Sequence, residues 1–312
     1  MKVNATLVTI HIFLEYVAAF FVIKNVRKND QIPQSSRVFM YGAVGMLIIS
    51  SIGPFALGGI ASQGLRESAI FEMAIYFYLH FQYNGWLYLL LVGMFLFMLH
   101  KKKVKYSEKM MRYSFWIYFI ALFPGYFLSI LWYGFGAFGI VFAIVGALGQ
   151  LVGVLLFIMT VIQSDRQLKL AVSHIIYVHI YGVLILLAMK SLLELGLLHS
   201  SFATVIYETR SVVIAYLHLT LLGFISLFIL AQFYMTRIVQ EDHPLVKLGS
   251  YLFVIGFALN ELALFFSALF SWLGLGTLAG QNLILLLASF CLLFAILFMW
   301  TSLFGKRQNF LE

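Results

Sequence analysis

About nine apolar stretches follow one another along the chain, each roughly 20 residues or longer, with only short polar joints between them. They lie at 5–24, 37–60, 71–99, 112–133, 136–162, 171–195, 211–236, 246–270 and 280–304. At about 1.5 Å per residue, a helix of that length crosses the hydrocarbon core of a bilayer. Backbone in lipid must satisfy its own hydrogen bonds, so each stretch predicts a helix rather than irregular chain. The expected fold is an all-α, polytopic membrane helix bundle of about nine transmembrane helices. No joint is long enough to separate domains, so residues 1–312 read as a single integral membrane domain. The charge content agrees: 10% of residues are charged, against about 25% in a soluble domain.

Orientation follows from lysine and arginine, which concentrate on the cytoplasmic side of a membrane. Lys24, Arg27, Lys28 and Arg37 flank the first joint, and Lys101, Lys102, Lys103, Lys105, Lys109 and Arg112 the third. Arg166 and Lys169, Arg237 and Lys247, and Lys306 and Arg307 occupy the next alternate positions. The other side carries only Lys2, Arg66 and Arg210, and Lys190 lies within the sixth stretch. This alternation predicts an N-terminus outside and a C-terminus in the cytoplasm. The net charge of +8 is therefore read as anchoring to the lipid bilayer, and no nucleic-acid partner is expected. The first stretch lacks an Ala-x-Ala site and reads as a retained span. Cys291 is the single cysteine and has no internal partner for a disulfide.

Glycines at 139, 146 and 153 fall at heptad spacing in the fifth stretch, which predicts close helix packing. Pro54 and Pro124 predict kinks in the second and fourth. The glycine run "GLGTLAG" joins two spans without a preceding strand, so it does not read as a phosphate loop.

Ionisable side chains are costly in a bilayer and usually functional there, so they form the candidate list. Four histidines lie at depth: His11, His80, His179 and His218. Two of them share a setting, "YLHFQYNGW" at 78–86 and "YLHLTLLGF" at 216–224. Each has Tyr-Leu-His, four further residues, then Gly and an aromatic, which suggests internal duplication. His80 follows Glu72, and His218 follows Arg210, by the same interval, which places both about 12 Å below the outer boundary. The third and seventh stretches run in the same direction. Two imidazoles at one level on parallel helices have the geometry to ligate one metal or one heme iron.

Other groups read as a second shell or proton path. Glu15 lies one turn from His11, and Glu72 and Tyr76 share a helical stripe with His80. Arg210, at the outer mouth of the seventh stretch, reads equally as a heme-propionate partner or an interfacial anchor. Glu261, beside Asn260, reads as a proton carrier or a paired structural group, and Lys190 with Glu194 as an ion pair. For His11 and His179 an interhelical hydrogen bond competes evenly with metal ligation.

The stretches "YLHFQYNGWLYLLLVG", "AYLHLTLLGF" and "SIGPFALG" resemble the heme-binding helices of the heme–copper oxidase subunit I superfamily, including the NnrS-like membrane proteins. The resemblance covers about three spans. In that superfamily ligand-bearing helices recur at an offset of four, as the third and seventh stretches do here. It implies heme b with His80 and His218 as axial ligands. The superfamily's copper motif His-Pro-Glu-Val-Tyr and its His-His pair are absent, and Tyr216-Leu217-His218 stands where oxidases have His-x-His. Copper is therefore not supported by motif, and no catalytic residue is assigned.

The expected function is that of a heme b-binding protein of the bacterial inner membrane. It would act in electron transfer or in binding of, or response to, a diatomic gas such as nitric oxide or oxygen, with a redox partner or respiratory-complex subunit. Any enzymatic activity would be that of an oxidoreductase. Two alternatives stand beside it. One is a cofactor-free proton or ion transporter or channel using intramembrane His and Glu. The other is an assembly or metal-handling protein of a respiratory complex.

Overall fold

The apolar stretches fold as helices, and each ends where the chain supplies a breaker or a turn to polar residues. The computed structural model describes residues 2–199, 210–276 and 278–304. Helix α1 (Lys2–Lys28) runs into the first basic joint, and Pro33 directly precedes α2 (Gln34–Ser50). The second stretch keeps one helical path from Gln34 to Ser62. A single irregular residue, Ser51, which itself has right-handed helical angles, separates α2 from α3 (Ile52–Ser62). Pro54 accounts for the irregularity, because it has no N–H to bond the carbonyl four residues back at Ser50.

The third stretch is continuous helix from Ala69 to Lys101 but changes type in the middle. Helix α4 (Ala69–His80) passes into a π-helix, π1 (Phe81–Leu87), and then into α5 (Tyr88–Lys101). Helix α6 (Glu108–Ser129) starts where the Ser107 side chain accepts a hydrogen bond from the Met110 N–H at 3.3 Å. Helix α7 (Gly136–Gln163) follows, then the short α8 (Asp165–Ala171) and α9 (His174–Gly196). After the undescribed joint, α10 (Arg210–His218) passes into a second π-helix, π2 (Leu219–Ile225), and then α11 (Ser226–Met235). Helices α12 (Pro244–Trp272) and α13 (Gln281–Phe304) complete the described residues, the former with Pro244 in its first turn.

Among the described residues eight helices are long and apolar enough to cross a membrane. The expected fourth span, α6, is not one of them. It is 22 residues long, but Glu108, Lys109 and Arg112 sit in its first turns and tyrosines dilute its apolar content.

The described chain divides into two compact units. The first comprises residues 1–168 with 191–198, and the second residues 169–190 with 199–312. In the first unit, α6 and α7 pack along a small-residue seam. The backbone of Gly146 lies against that of Gly125, so a Cβ at 146 would stand 2.6 Å from the Pro124 carbonyl carbon. Only glycine allows that approach, and the close packing expected of the fifth stretch is what it delivers. In the second unit, α12 and α13 meet in the same manner, with Gly249 and Gly256 against the carbonyls of Ala295 and Ala288. Apolar side chains left exposed along α1, α7 and α13 include Leu14, Phe138 and Leu283. Such long apolar faces suit lipid rather than water.

Candidate functional site

His80 and His218 occupy the same structural step. Each is the last α-helical residue before a π-helix of seven residues. π segments insert one extra residue into a helix and are common at functional sites. Each also carries the glycine of the shared sequence pattern at its fifth position, where a neighbouring helix comes close. A Cβ at Gly85 would lie 2.8 Å from the Met46 Cβ, and one at Gly223 would lie 2.5 Å from the Phe257 ring. The glycines thus let the wider π turn lie flat against its neighbour.

The correspondence extends to hydrogen-bond partners. His80 bonds α6 at Leu122, 42 residues later, and His218 bonds α12 at Asn260, also 42 residues later. One constant shift in numbering therefore relates the histidine, the π segment, its glycine and the contact on the following long helix. The duplication suggested by the two quoted stretches is matched in local structure.

The two partners differ in chemistry. Nε2 of His80 meets the backbone carbonyl of Leu122 at 2.9 Å. A carbonyl oxygen only accepts, so Nε2 carries the proton and donates. Nδ1 then accepts from the Asn84 amide at 3.3 Å. The Tyr118 hydroxyl donates to the Asn84 carbonyl at 3.0 Å, and the Tyr88 ring packs on Tyr118 at 4.2 Å. Ser50 donates to the Gln82 side-chain oxygen at 2.8 Å, tying α2 to π1. The buried Gln150 of α7 approaches His80 across Gly125, and its Oε1 has no hydrogen-bond partner among the described residues.

Nδ1 of His218 faces the Asn260 amide nitrogen at 2.7 Å, and that same nitrogen lies 3.3 Å from Glu261 Oε1. Nε2 of His218 makes no hydrogen bond to the described residues. The ring is half-buried, whereas His80 is buried.

The other candidates stand apart. His11 is exposed on α1, and its Nε2 lies 3.2 Å from Glu15 Oε1, the pairing expected from their spacing. His179 is buried, and its Nδ1–H donates to its own helix at Ile175 O, 2.8 Å away. Its Nε2 is without a partner among the described residues, and its ring meets Tyr234 edge-on at 5.3 Å. Tyr234 in turn shares a 2.5 Å hydrogen bond with Ser250. Glu72 is exposed, and Tyr76 packs on Trp132 rather than extending a buried network. The side chain of Arg210 lies outside the described residues. Among those residues no three His, Cys, Asp or Glu groups gather to hold a metal ion.

An axial histidine of heme iron presents a bare Nε2 and directs Nδ1–H to an acceptor. His218 meets this requirement when Asn260 turns its carbonyl oxygen toward Nδ1, an exchange of two nearly isosteric ends. His80 does not meet it while bonded to Leu122. His179 has the required tautomer, but its Nε2 is enclosed.

Comparison with known protein families and with curated proteins finds no match.

Proposed function

We propose that the chain is an integral membrane protein that binds heme b, with His218 as an axial ligand. The observation that carries this reading is the His218 site. An intramembrane imidazole stands at an α–π junction, with Nδ1 held by Asn260 and Nε2 free of hydrogen bonds to the described residues. The resemblance of "AYLHLTLLGF" to oxidase heme helices supports the same assignment. Heme iron with one open axial position binds diatomic gases, whereas iron with both filled carries single electrons.

In the described conformation His80 is held by Leu122, so the reading favours gas binding or response over simple electron transfer. Asn260 orients the His218 ring, and Glu261 orients Asn260. The buried second-unit residues Phe224, Phe228 and Phe257 keep the surroundings apolar.

In this reading α6 crosses the membrane as the ninth span, which keeps the basic joints on one side, the N-terminus outside and the C-terminus in the cytoplasm. A bacterial inner membrane and a respiratory redox partner fit the same reading.

The absorbance spectrum of purified protein, expressed with heme supplementation, tests it. A Soret band with sharp reduced α and β bands is expected, lost in His218→Ala and kept in His80→Ala. Well-folded, colourless protein would overturn it.

The hydrogen-bonded string Glu261–Asn260–His218 favours a second reading, a proton-translocating protein without cofactor. Proton flux in proteoliposomes of the colourless protein, abolished by Glu261→Gln, would then be the expected result.

A further inference from the structure

One side-chain amide stands between an imidazole and a carboxyl group in the second unit. The nitrogen end of Asn260 faces both His218 Nδ1, at 2.7 Å, and Glu261 Oε1, at 3.3 Å. We propose that Asn260 is a two-way relay tying the protonation of Glu261 to the tautomer of His218, and so to whether Nε2 is free to take a ligand. This rests on the reading of His218 as the ligand-bearing residue.

The argument is one of donors and acceptors. An amide nitrogen only donates and an amide oxygen only accepts. With Glu261 ionised, its carboxylate accepts from the Asn260 NH2, which donates its second proton to a bare Nδ1. The neutral ring then carries its proton on Nε2 and cannot ligate. With Glu261 protonated, its O–H needs an acceptor, which the Asn260 oxygen supplies once the amide has turned. That oxygen also accepts from Nδ1–H, and Nε2 is left bare. Both arrangements match donor to acceptor at the two contacts of Asn260, whereas a mixed arrangement sets two donors or two acceptors face to face. Passing from the first to the second takes one proton from solution onto Glu261. It also moves the ring proton of His218 from Nε2 to Nδ1, so the ring stays neutral.

The first unit shows the same site without the relay. The residue 42 positions after His80 is Leu122, which offers only a backbone carbonyl. That group has no second orientation, so His80 is fixed with its proton on Nε2.

Among the described residues, hydrogen bonds tie the Glu261 carboxyl group to this pair. Helix α12 packs against α10, π2 and α13. The titratable side chains on those elements are Arg210, Tyr216, His218 and Cys291. The Lys190 ammonium approaches the Tyr216 ring, 5.9 Å from its centroid. Of the described groups, only His218 is joined to Glu261 by hydrogen bonds, through Asn260.

The test uses heme-free full-length protein in nanodiscs with 15N-labelled histidine. The His218 signals are assigned by their loss in His218→Gln. In alkaline buffer the ring should be neutral with the proton on Nε2. As pH falls it should pass through a neutral form with the proton on Nδ1 before becoming imidazolium.

Glu261→Gln cannot ionise and can present either a donor or an acceptor to Asn260, so the ratio of the two neutral His218 tautomers should no longer change with pH in the alkaline range. Asn260→Leu, which copies the first unit, should abolish the intermediate form while leaving thermal stability measurable. A direct change from the Nε2–H form to imidazolium in the wild type, or Glu261→Gln behaving as wild type, would overturn the relay.

Hemin titration separates the two claims. Wild-type affinity for hemin should rise about tenfold as pH falls through the tautomer exchange, and Glu261→Gln should lose that dependence. Tautomer exchange without hemin binding would leave the relay standing and remove the heme reading. Hemin binding without tautomer exchange would do the reverse.

Discussion

Gly146 of α7 and Gly125 of α6 meet backbone to backbone, with no side chain between them. The nearest atoms to an added Cβ at 146 belong to main chain, which cannot rotate away. Gly45 of α2 offers the opposite case, since a Cβ there would meet nothing within 4 Å. Gly146→Ala should therefore destabilise the protein by about 1–3 kcal/mol or more. Gly45→Ala should be neutral or stabilise by about 0.5–1 kcal/mol, through helix entropy alone. Thermal unfolding in one detergent compares the two directly.

The glycine of π1 makes a softer prediction. A methyl group at Gly85 would press on the Met46 side chain, at 2.8 Å from Cβ and 3.0 Å from Cγ. Met46 is flexible beyond Cβ, so part of the clash can relax. Gly85→Ala should cost about 1–3 kcal/mol, and Met46→Ala in the same chain should recover part of it. Additive losses in the double-mutant cycle would show that the two residues do not share a contact.

His80 is predicted to be structural in the conformation described. Its ring bridges α4 to α6 through Leu122 O and is buttressed by Asn84. His80→Ala should lower stability by about 1–3 kcal/mol, the range for leaving buried polar groups unmatched. His80→Asn should recover some of it by donating to the same carbonyl. The corresponding His218→Ala should cost less stability, because its ring is half-buried and only one nitrogen is engaged. Equal losses at both positions would contradict this ordering.

The topology is open to a labelling test. With Cys291 replaced by Ser, no native thiol remains. Single cysteines at Lys103 and Tyr133 bracket α6. Impermeant maleimide should label Lys103→Cys only from the cytoplasmic side and Tyr133→Cys only from the outside. Labelling of both from one side would make α6 a re-entrant or surface helix and reverse every span after it.

Much of this architecture is readable in the chain. Hydrophobic length locates the helices to within a few residues, because lipid leaves the backbone no alternative. Pro54 announces a disturbance, which falls at Ser51 inside an otherwise continuous helical span. The two Tyr-Leu-His stretches reveal the repeated unit, and Glu15 one turn after His11 reveals their contact.

The π segments are invisible in composition, since their residues are as apolar as those of an α-helix. The Leu122 carbonyl that holds His80 is equally hidden, because every residue carries one. Asn84 was legible in principle, one helical turn after His80, and Asn260 stands beside an acid already singled out. What the sequence lacked was the pairing of Asn260 with His218, a contact between helices 42 residues apart. The apolar run at 112–133 predicts a span, whereas the charges and tyrosines of α6 keep it below the hydropathy of its neighbours.

The different anchors of the two histidines bear on how each site can evolve. The group that holds His80 is main chain, set by the path of α6 along its glycine seam. Substitutions at 122 leave the bonding carbonyl itself in the chain, although Leu122 is fully buried. The attachment of His218 is written in one codon, and most changes at 260 erase it. The bond that holds His80 is thus independent of side-chain identity, whereas the one that holds His218 depends on the residue at 260.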